Sequence, residues 1–278
     1  MKNILKIMLM MITIFTIAGS AVYAAEIPVS DQDQLITSRD WTEISNLQDE
    51  MKKEEPDATI DYDKALKVYV DCNLIKLQTA DAKKLISALE SANYVWVIPF
   101  KMEKTYGMFT VAKGLPLSEE AKSVLTKAEQ EEVKNHAGKW MITETAEHTV
   151  EPYYDILLEK REALSDCTRV VLVGSQPGMR QPVALGMDDE TARIWISLGY
   201  QYPVMEKIPE TQNVESGVYS FESVADISDT YIEDSEVSTG AGVQSRSSMK
   251  YVAGIGIIVI GSILILSVLK KKKLEDYE

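Results

Sequence analysis

The chain has 278 residues, 45% hydrophobic and 26% charged, and its 43 acidic against 29 basic side chains give a formal net charge of −14. Such acidity disfavours nucleic acid, anionic lipid headgroups and other polyanions as partners, because they are repelled rather than steered in. With only two histidines, His136 and His148, and no Cys-x-x-Cys, a histidine-rich metal centre, a zinc ribbon and a thioredoxin-like motif are excluded as well.

Residues 1–24 read as a secretory signal peptide. Lys2 and Lys6 precede an apolar stretch from Ile7 to Ala18, and Val22 and Ala24 fit the small-residue rule for cleavage before Ala25. From Ala25 to Thr37 the sequence is polar and reads as loose. A helix is expected from Ser38, with Trp41, Ile44, Leu47 and Met51 as its apolar stripe and Pro56 beyond its end. "ALKVYVDCNLIKL" predicts one or two strands, and Thr79 begins a short helix burying Ala82, Leu85, Ile86 and Leu89. "YVWVIPF", apolar on both faces, marks a central strand, and "TYGMFTVAKG" its hairpin partner. Pro116 and Ser118 open one longer helix that runs to Gly138.

The second half repeats these patterns. "KWMITETAEHT" is strand-like, a helix with Pro152 in its first turn follows, "TRVVLVG" is another wholly apolar strand, and two strands joined at Asp188 and Asp189 complete the set. Elements of the two halves are offset by about 71 to 75 residues, as a β-α-β-β duplication would leave them. The expected architecture is α+β, a mostly antiparallel mixed sheet with helices packed on it, over residues 25–209. Residues 210–250 hold eight acids and two bases and end rich in Gly and Ser, which reads as a flexible stalk.

Tyr251 to Leu269 is a run of nineteen residues without a charge, the length of a helix that covers a hydrocarbon core of roughly 30 Å. Lys270, Lys271, Lys272 and Lys273 follow at once, and the positive-inside rule puts them and the tail 270–278 in the cytoplasm. This ending resembles a sortase-type cell-wall sorting signal in outline. The defining Leu-Pro-x-Thr-Gly is missing, since "EVSTG" at Glu236 to Gly240 has neither the Leu nor the Pro, so a permanent anchor is expected. The layout is that of a single-pass type I protein of a cell membrane, bacterial or eukaryotic, with its domain outside. The two lysines of the signal and a net +2 from residues 250–278 lie outside that ectodomain, so residues 25–249 carry −18. In an extracytoplasmic compartment Cys72 and Cys167 can form a disulfide or remain two buried thiols.

Catalytic signatures are scarce. Glu144, Glu147 and His148 in "ETAEH" would share a helix face but lack the first His of a His-x-x-Glu-His site, and as a strand they alternate. "GSQPG" follows a strand without the Lys-Ser/Thr end of a phosphate loop, no Gly-x-Ser-x-Gly elbow is present, and Asp31 and Asp33 lack the remaining residues of a calcium loop. No cofactor is expected. Recognition surface remains: on the strand "TARIWISLGYQYP", Arg193 and Trp195 face away from Ile194, Ile196 and Leu198, and with Tyr200 and Tyr202 they are of the residue types enriched at interaction hot spots. Trp195 could equally be buried under a second helix layer. The functional expectation is a non-enzymatic domain binding a protein or ligand outside the cytoplasm. The alternative is an envelope-facing hydrolase using carboxylate or Ser chemistry without a recognisable motif.

Overall fold

The computed structural model describes residues 27–148, 152–174, 182–198 and 213–226, with Gln176, Met179, Lys207 and Ile208. The signal, the stalk beyond residue 226, the apolar run 251–269, Lys270 to Lys273, Tyr200 and Tyr202 lie outside the described residues. Among the described residues no helix is long and apolar enough to cross a membrane.

The fold is α+β, with a mostly antiparallel mixed sheet and packed helices. Its strands are β1 (Thr59–Ile60), β2 (Leu66–Tyr69), β3 (Tyr94–Lys101), β4 (Tyr106–Lys113), β5 (Trp140–His148), β6 (Arg169–Val173), β7 (Val183–Met187), β8 (Ala192–Ser197), β9 (Asn213–Glu215) and β10 (Val218–Ser220). They lie in the order β5-β4-β3-β2-β6-β7-β8-β10-β9, with β1 on β3. The β2–β6 pair is parallel and every other strand pair antiparallel. The helices are α1 (Trp41–Ile44), α2 (Gln48–Glu54), α3 (Ala82–Glu90), α4 (Glu119–Val124), α5 (Lys127–His136) and α6 (Tyr153–Glu159), and residues 221–226 add a helical turn.

Both faces of the sheet are covered, which is why the central strands read as apolar throughout. On one face α3, Leu74, Ile75, Phe221 and Val224 bury Val171, Leu185 and Trp195. On the same face α1, α2 and Leu35 bury Trp96, Ile98, Phe109 and Val111. The other face packs Leu66, Val68, Val170, Leu172 and Ile196 beneath α6, Ile27 and Val29. Pro99 fits in β3 because its second edge changes partner there: β2 pairs as far as Val97 and β1 takes over at Phe100. Gly107 lies under the Phe100 ring, where an added Cβ would come within 2.1 Å of a ring carbon.

Several expected elements are broken by local chemistry. The helix from Ser38 becomes α1, a 3₁₀ turn and α2, with its stripe intact, Ile44 and Met51 being buried. "ALKVYVDCNLIKL" forms only β2 and then a 3₁₀ turn at Ile75–Leu77. The single helix expected to Gly138 is two, because Thr126 starts α5 with a reciprocal capping box to Glu129. The halves do not repeat topologically: β2 pairs with β3, whereas β5 pairs with β4 at the far edge and never meets β6.

The stretch expected to be loose instead completes the sheet. β2 and β6 pair only at Val68↔Leu172 and Tyr69↔Val173. Ahead of that point they part, and residues 28–35 fill the gap. The Pro28 carbonyl accepts from Val170 N at 2.8 Å, Val29 bridges Val170, Gln34 bridges Leu66, and Leu35 N donates to Ala65 O at 3.2 Å. The segment passes from one face, where Ile27 is buried, to the other, where Leu35 is.

Candidate functional site

A groove of about 1000 Å³ runs between the Ile75–Ala80 loop, the start of β8 and residues 220–226. Its first wall is set by hydrogen bonding. Asp81 caps α3 through Lys83 N and Lys84 N at 3.0 and 3.2 Å, Thr79 Oγ1 accepts from Asp81 N at 3.1 Å, and Ala192 N donates to Ala80 O at 2.7 Å. Gln78, which ends the 3₁₀ turn, sits at φ 48° on the rim, the sole positive-φ residue other than glycine among the described residues.

The β7–β8 turn aims the next group. Asp188 accepts from Glu190 N at 2.8 Å and Thr191 N at 2.6 Å, and its other oxygen accepts from Arg193 Nε at 2.6 Å. The backbone bonds from Thr191 and Glu190, and then Arg193, hold its carboxyl below the usual range. Opposite, Ser220 Oγ accepts from Ser223 N at 3.1 Å and starts the helical turn that carries Glu222 and Asp226, both exposed. Small apolar residues, Ala80, Ala192 and Ala225, line the groove beside the edge of Phe221.

Arg193 therefore lies on a surface, and Trp195 does not. Trp195 is 0% exposed and stacks on Phe221 with ring centroids 5.6 Å apart, so it is corrected from candidate contact to core residue beneath the groove. The two were expected on one strand face. A bulge between Gly186 and Met187 breaks the alternation, since Met187 pairs with Ala192 and Gly186 with Ile194, leaving Arg193 turned out. Tyr200 and Tyr202 lie outside the described residues.

A buried ionic centre, unmarked by any motif, lies where the N-terminal segment crosses the sheet. Asp33 is 2% exposed and accepts from Ser30 Oγ at 2.6 Å, Tyr69 Oη at 2.8 Å and Arg169 Nη2 at 3.0 Å, with Lys67 Nζ at 3.3 Å. Lys67 also donates to the Gln32 carbonyl and lies over the rings of Tyr94, Trp96 and Tyr69 at 4.7, 5.3 and 5.7 Å. Burial pushes the Asp33 carboxyl up, but the Ser30 bond, the Lys67 charge, the Tyr69 hydroxyl and Arg169 outweigh it and hold it below the usual range. Burial and the Asp33 charge push the Tyr69 phenol up. Nearby, Asp40 accepts from Tyr94 Oη at 2.8 Å and Trp96 Nε1 at 3.0 Å.

The remaining candidates are dispersed. Cys72 and Cys167 are free thiols, corrected from a possible disulfide: Cys72 packs on the face of α3, Cys167 on the face of α6, and the strand layer separates them. Burial, then Asp71, pushes the Cys72 thiol up to about 11, and burial, then Asp188, does the same to Cys167. Glu144 and Glu147 sit opposite Thr110 and Gly107 on β5, on alternate faces of a strand rather than one helix face. In "GSQPG", Gln176 is buried as a clip, accepting from Leu74 N at 3.1 Å and donating to the Cys72 and Gly174 carbonyls at 2.6 and 2.9 Å. Among the described residues no three His, Cys, Asp or Glu side chains gather closely enough to hold a metal ion. Set against protein families, curated proteins and solved structures, the chain finds no match to any of them.

Proposed function

We propose that the chain is a single-pass, type I membrane-anchored protein whose extracytoplasmic domain, expected over residues 25–209 and extended to Asp226 by β9, β10 and the helical turn, binds a protein or ligand at the cell surface without catalysing a reaction. In this reading residues 1–24 are removed, the stalk expected over 210–250 is left with the residues after Asp226, because β9, β10, Phe221 and Val224 belong to the sheet and its core, 251–269 span the membrane and 270–278 are cytoplasmic. The observation that carries it is the nineteen-residue uncharged run followed at once by Lys270, Lys271, Lys272 and Lys273.

Binding rather than hydrolysis is supported by where the displaced carboxyls sit. Those held below the usual range among the described residues are Asp33, Glu129 and Asp188, and each is engaged: Asp33 in the buried ion cluster, Glu129 in a helix cap, Asp188 in a turn. Of the alternative hydrolases, the kind that works through carboxylates is served by an acid with a displaced pKa open to a pocket. The open groove with both signs of charge on its walls suits recognition instead.

The test is purification of the full-length chain, tagged after Glu278, from membranes in mild detergent, with intact mass and identification of co-purifying chains. A mass starting at Ala25 with the tag retained, and a stoichiometric partner, is the expected result. Separation of tag from ectodomain would overturn the anchor, and a chain that arrives alone yet hydrolyses envelope polymers would overturn the binding reading.

A further inference from the structure

We propose that the open edge of β5 is the docking site for an extended segment of a partner protein, which adds a strand to the sheet there and brings two basic residues, three positions apart, to Glu144 and Glu147. This rests on the reading of the domain as a binding module and names the kind of partner.

The two ends of the sheet differ. β9 closes one end with three residues, whereas β5 closes the other with nine. Among the described residues β5 pairs with β4 alone. Its second edge is therefore a row of main-chain N–H and C=O groups without strand partners, the template on which another strand is added. Native sheets blunt such edges by keeping them short, by proline or by bulges. β5 holds no proline, and its irregularity is confined to Thr143, the extra residue between the partners of Thr110 and Val111. Thr143 turns inward, its hydroxyl donating to the Thr110 carbonyl of β4 at 3.1 Å. Beyond it, residues 144–148 keep unbroken register with 110–106.

The side chains beside that run select the occupant. Glu144 and Glu147 are both exposed, on opposite faces of β5, and neither carboxylate has an ion pair or hydrogen bond among the described residues. On the face of Glu147, the Thr145 hydroxyl donates to Glu54 of α2, which adds a third carboxylate to the same edge. A second copy of β5 would bring two further glutamates to this short run, and like charges across a strand pair are destabilising, so the occupant is a different, basic segment. Residues 25–249 carry −18, which steers such a segment in. Because successive side chains of a strand alternate in face, basic residues two or four positions apart reach one glutamate only, and a spacing of three reaches both.

The probe is a nine-residue peptide of alternating Val and Thr with two Lys three positions apart, labelled for fluorescence anisotropy and titrated into the full chain in detergent. It should bind, the same peptide with Glu for Lys should not, and a two-residue Lys spacing should bind more weakly. Glu144→Lys and Glu147→Lys together should weaken the Lys peptide about tenfold or more and favour the Glu peptide, with the urea midpoint little changed. N-methylating the alternate peptide amides that face β5 should abolish binding, and N-methylating the other set should not, a difference that charge attraction alone does not give. Amide hydrogen exchange should slow in β5. Equal binding by the two N-methylated forms, or by the Lys and Glu peptides, would overturn strand addition. Protection elsewhere on the domain would overturn the edge and leave the binding reading standing. Binding by none of the peptides would overturn the edge as well, whereas the binding reading is decided by the co-purifying chains. A dimer of the full chain that the Lys peptide dissociates would mean that the edge takes a second copy, and would overturn the foreign partner.

Discussion

Removing the charge of Asp33 tests the ionic centre most directly. Asp33→Asn keeps the shape of the side chain but leaves Lys67, 10% exposed, and Arg169, 18% exposed, without their counter-ion. Breaking a buried ion pair by removing one partner costs about 3–5 kcal/mol. The rings around Lys67 retain part of that cation's stabilisation, and Arg169 can reach water, which sets the expectation near 3 kcal/mol rather than 5. At about 2–4 °C per kcal/mol for a domain of this size, Tm should fall by roughly 6–12 °C. Lys67→Met leaves Asp33 paired with Arg169 and should cost less, about 1–2 kcal/mol. The double variant should be no less stable than Asp33→Asn alone, because the unpaired lysine is gone. Urea titration followed by tryptophan fluorescence reads all four forms. Asp33 is also a pH probe: its folded pKa lies below the unfolded value near 3.9, so its contribution is complete above that value and is lost as pH falls through the folded pKa. The wild type should lose stability there, and Asp33→Asn should lack that part of the loss. A wild-type midpoint for Asp33→Asn, or a double variant equal to the sum of the singles, would refute the reasoning.

Two glycines should respond for different reasons. Gly107→Ala drives a methyl into the buried Phe100 ring and should cost about 1–3 kcal/mol by urea titration, whereas Gly138→Ala, at φ 76° with nothing within 4 Å, should cost about 1–2 kcal/mol through its backbone alone. Gln176→Ala leaves the Leu74 N–H and two carbonyls without their partner and should lower stability by about 1–3 kcal/mol. With their thiols pushed up to about 11, Cys72 and Cys167 should alkylate slowly in the folded chain at pH 7.5 and faster as pH rises. Both should react at once in urea without reductant, and a need for reductant would mean that they are bonded.

The wholly apolar strands, the hairpins and the capped helix starts were legible because each is written in a few consecutive residues. The path of residues 27–35 was not, since Ile27, Val29 and Leu35 are isolated apolar residues in a polar stretch, too few to give a period. A signal did exist on the other side of the contact. Lys67 in "ALKVYV" and Arg169 in "TRVVLVG" are charges within strands that read as buried, and such charges require a partner. Asp33 is that partner, but nothing local points from one to the other. At the groove, Arg193 was named from residue type, while Gln78, Thr79, Ser220 and Glu222 arrive from distant segments and carry no mark in their own surroundings. The two roles open to Trp195 were undecidable from alternation alone, because helices cover both faces of the sheet and neither side reads as wet.

The insertion of residues 28–35 between β2 and β6 has a consequence for the order in which the domain folds. Asp33 and Arg169 are 136 positions apart, so the earliest residues made must wait for strands made much later before they find their place. Pairings this distant close slowly, and until they form the edges of β2 and β6 stay open to other chains. A nascent chain that has not yet produced β6 has nowhere to seat its own beginning. Final closure is thus a late step that joins the start of the domain to its middle, and the chain remains vulnerable to aggregation, and easy to thread through a narrow pore, until that step is complete.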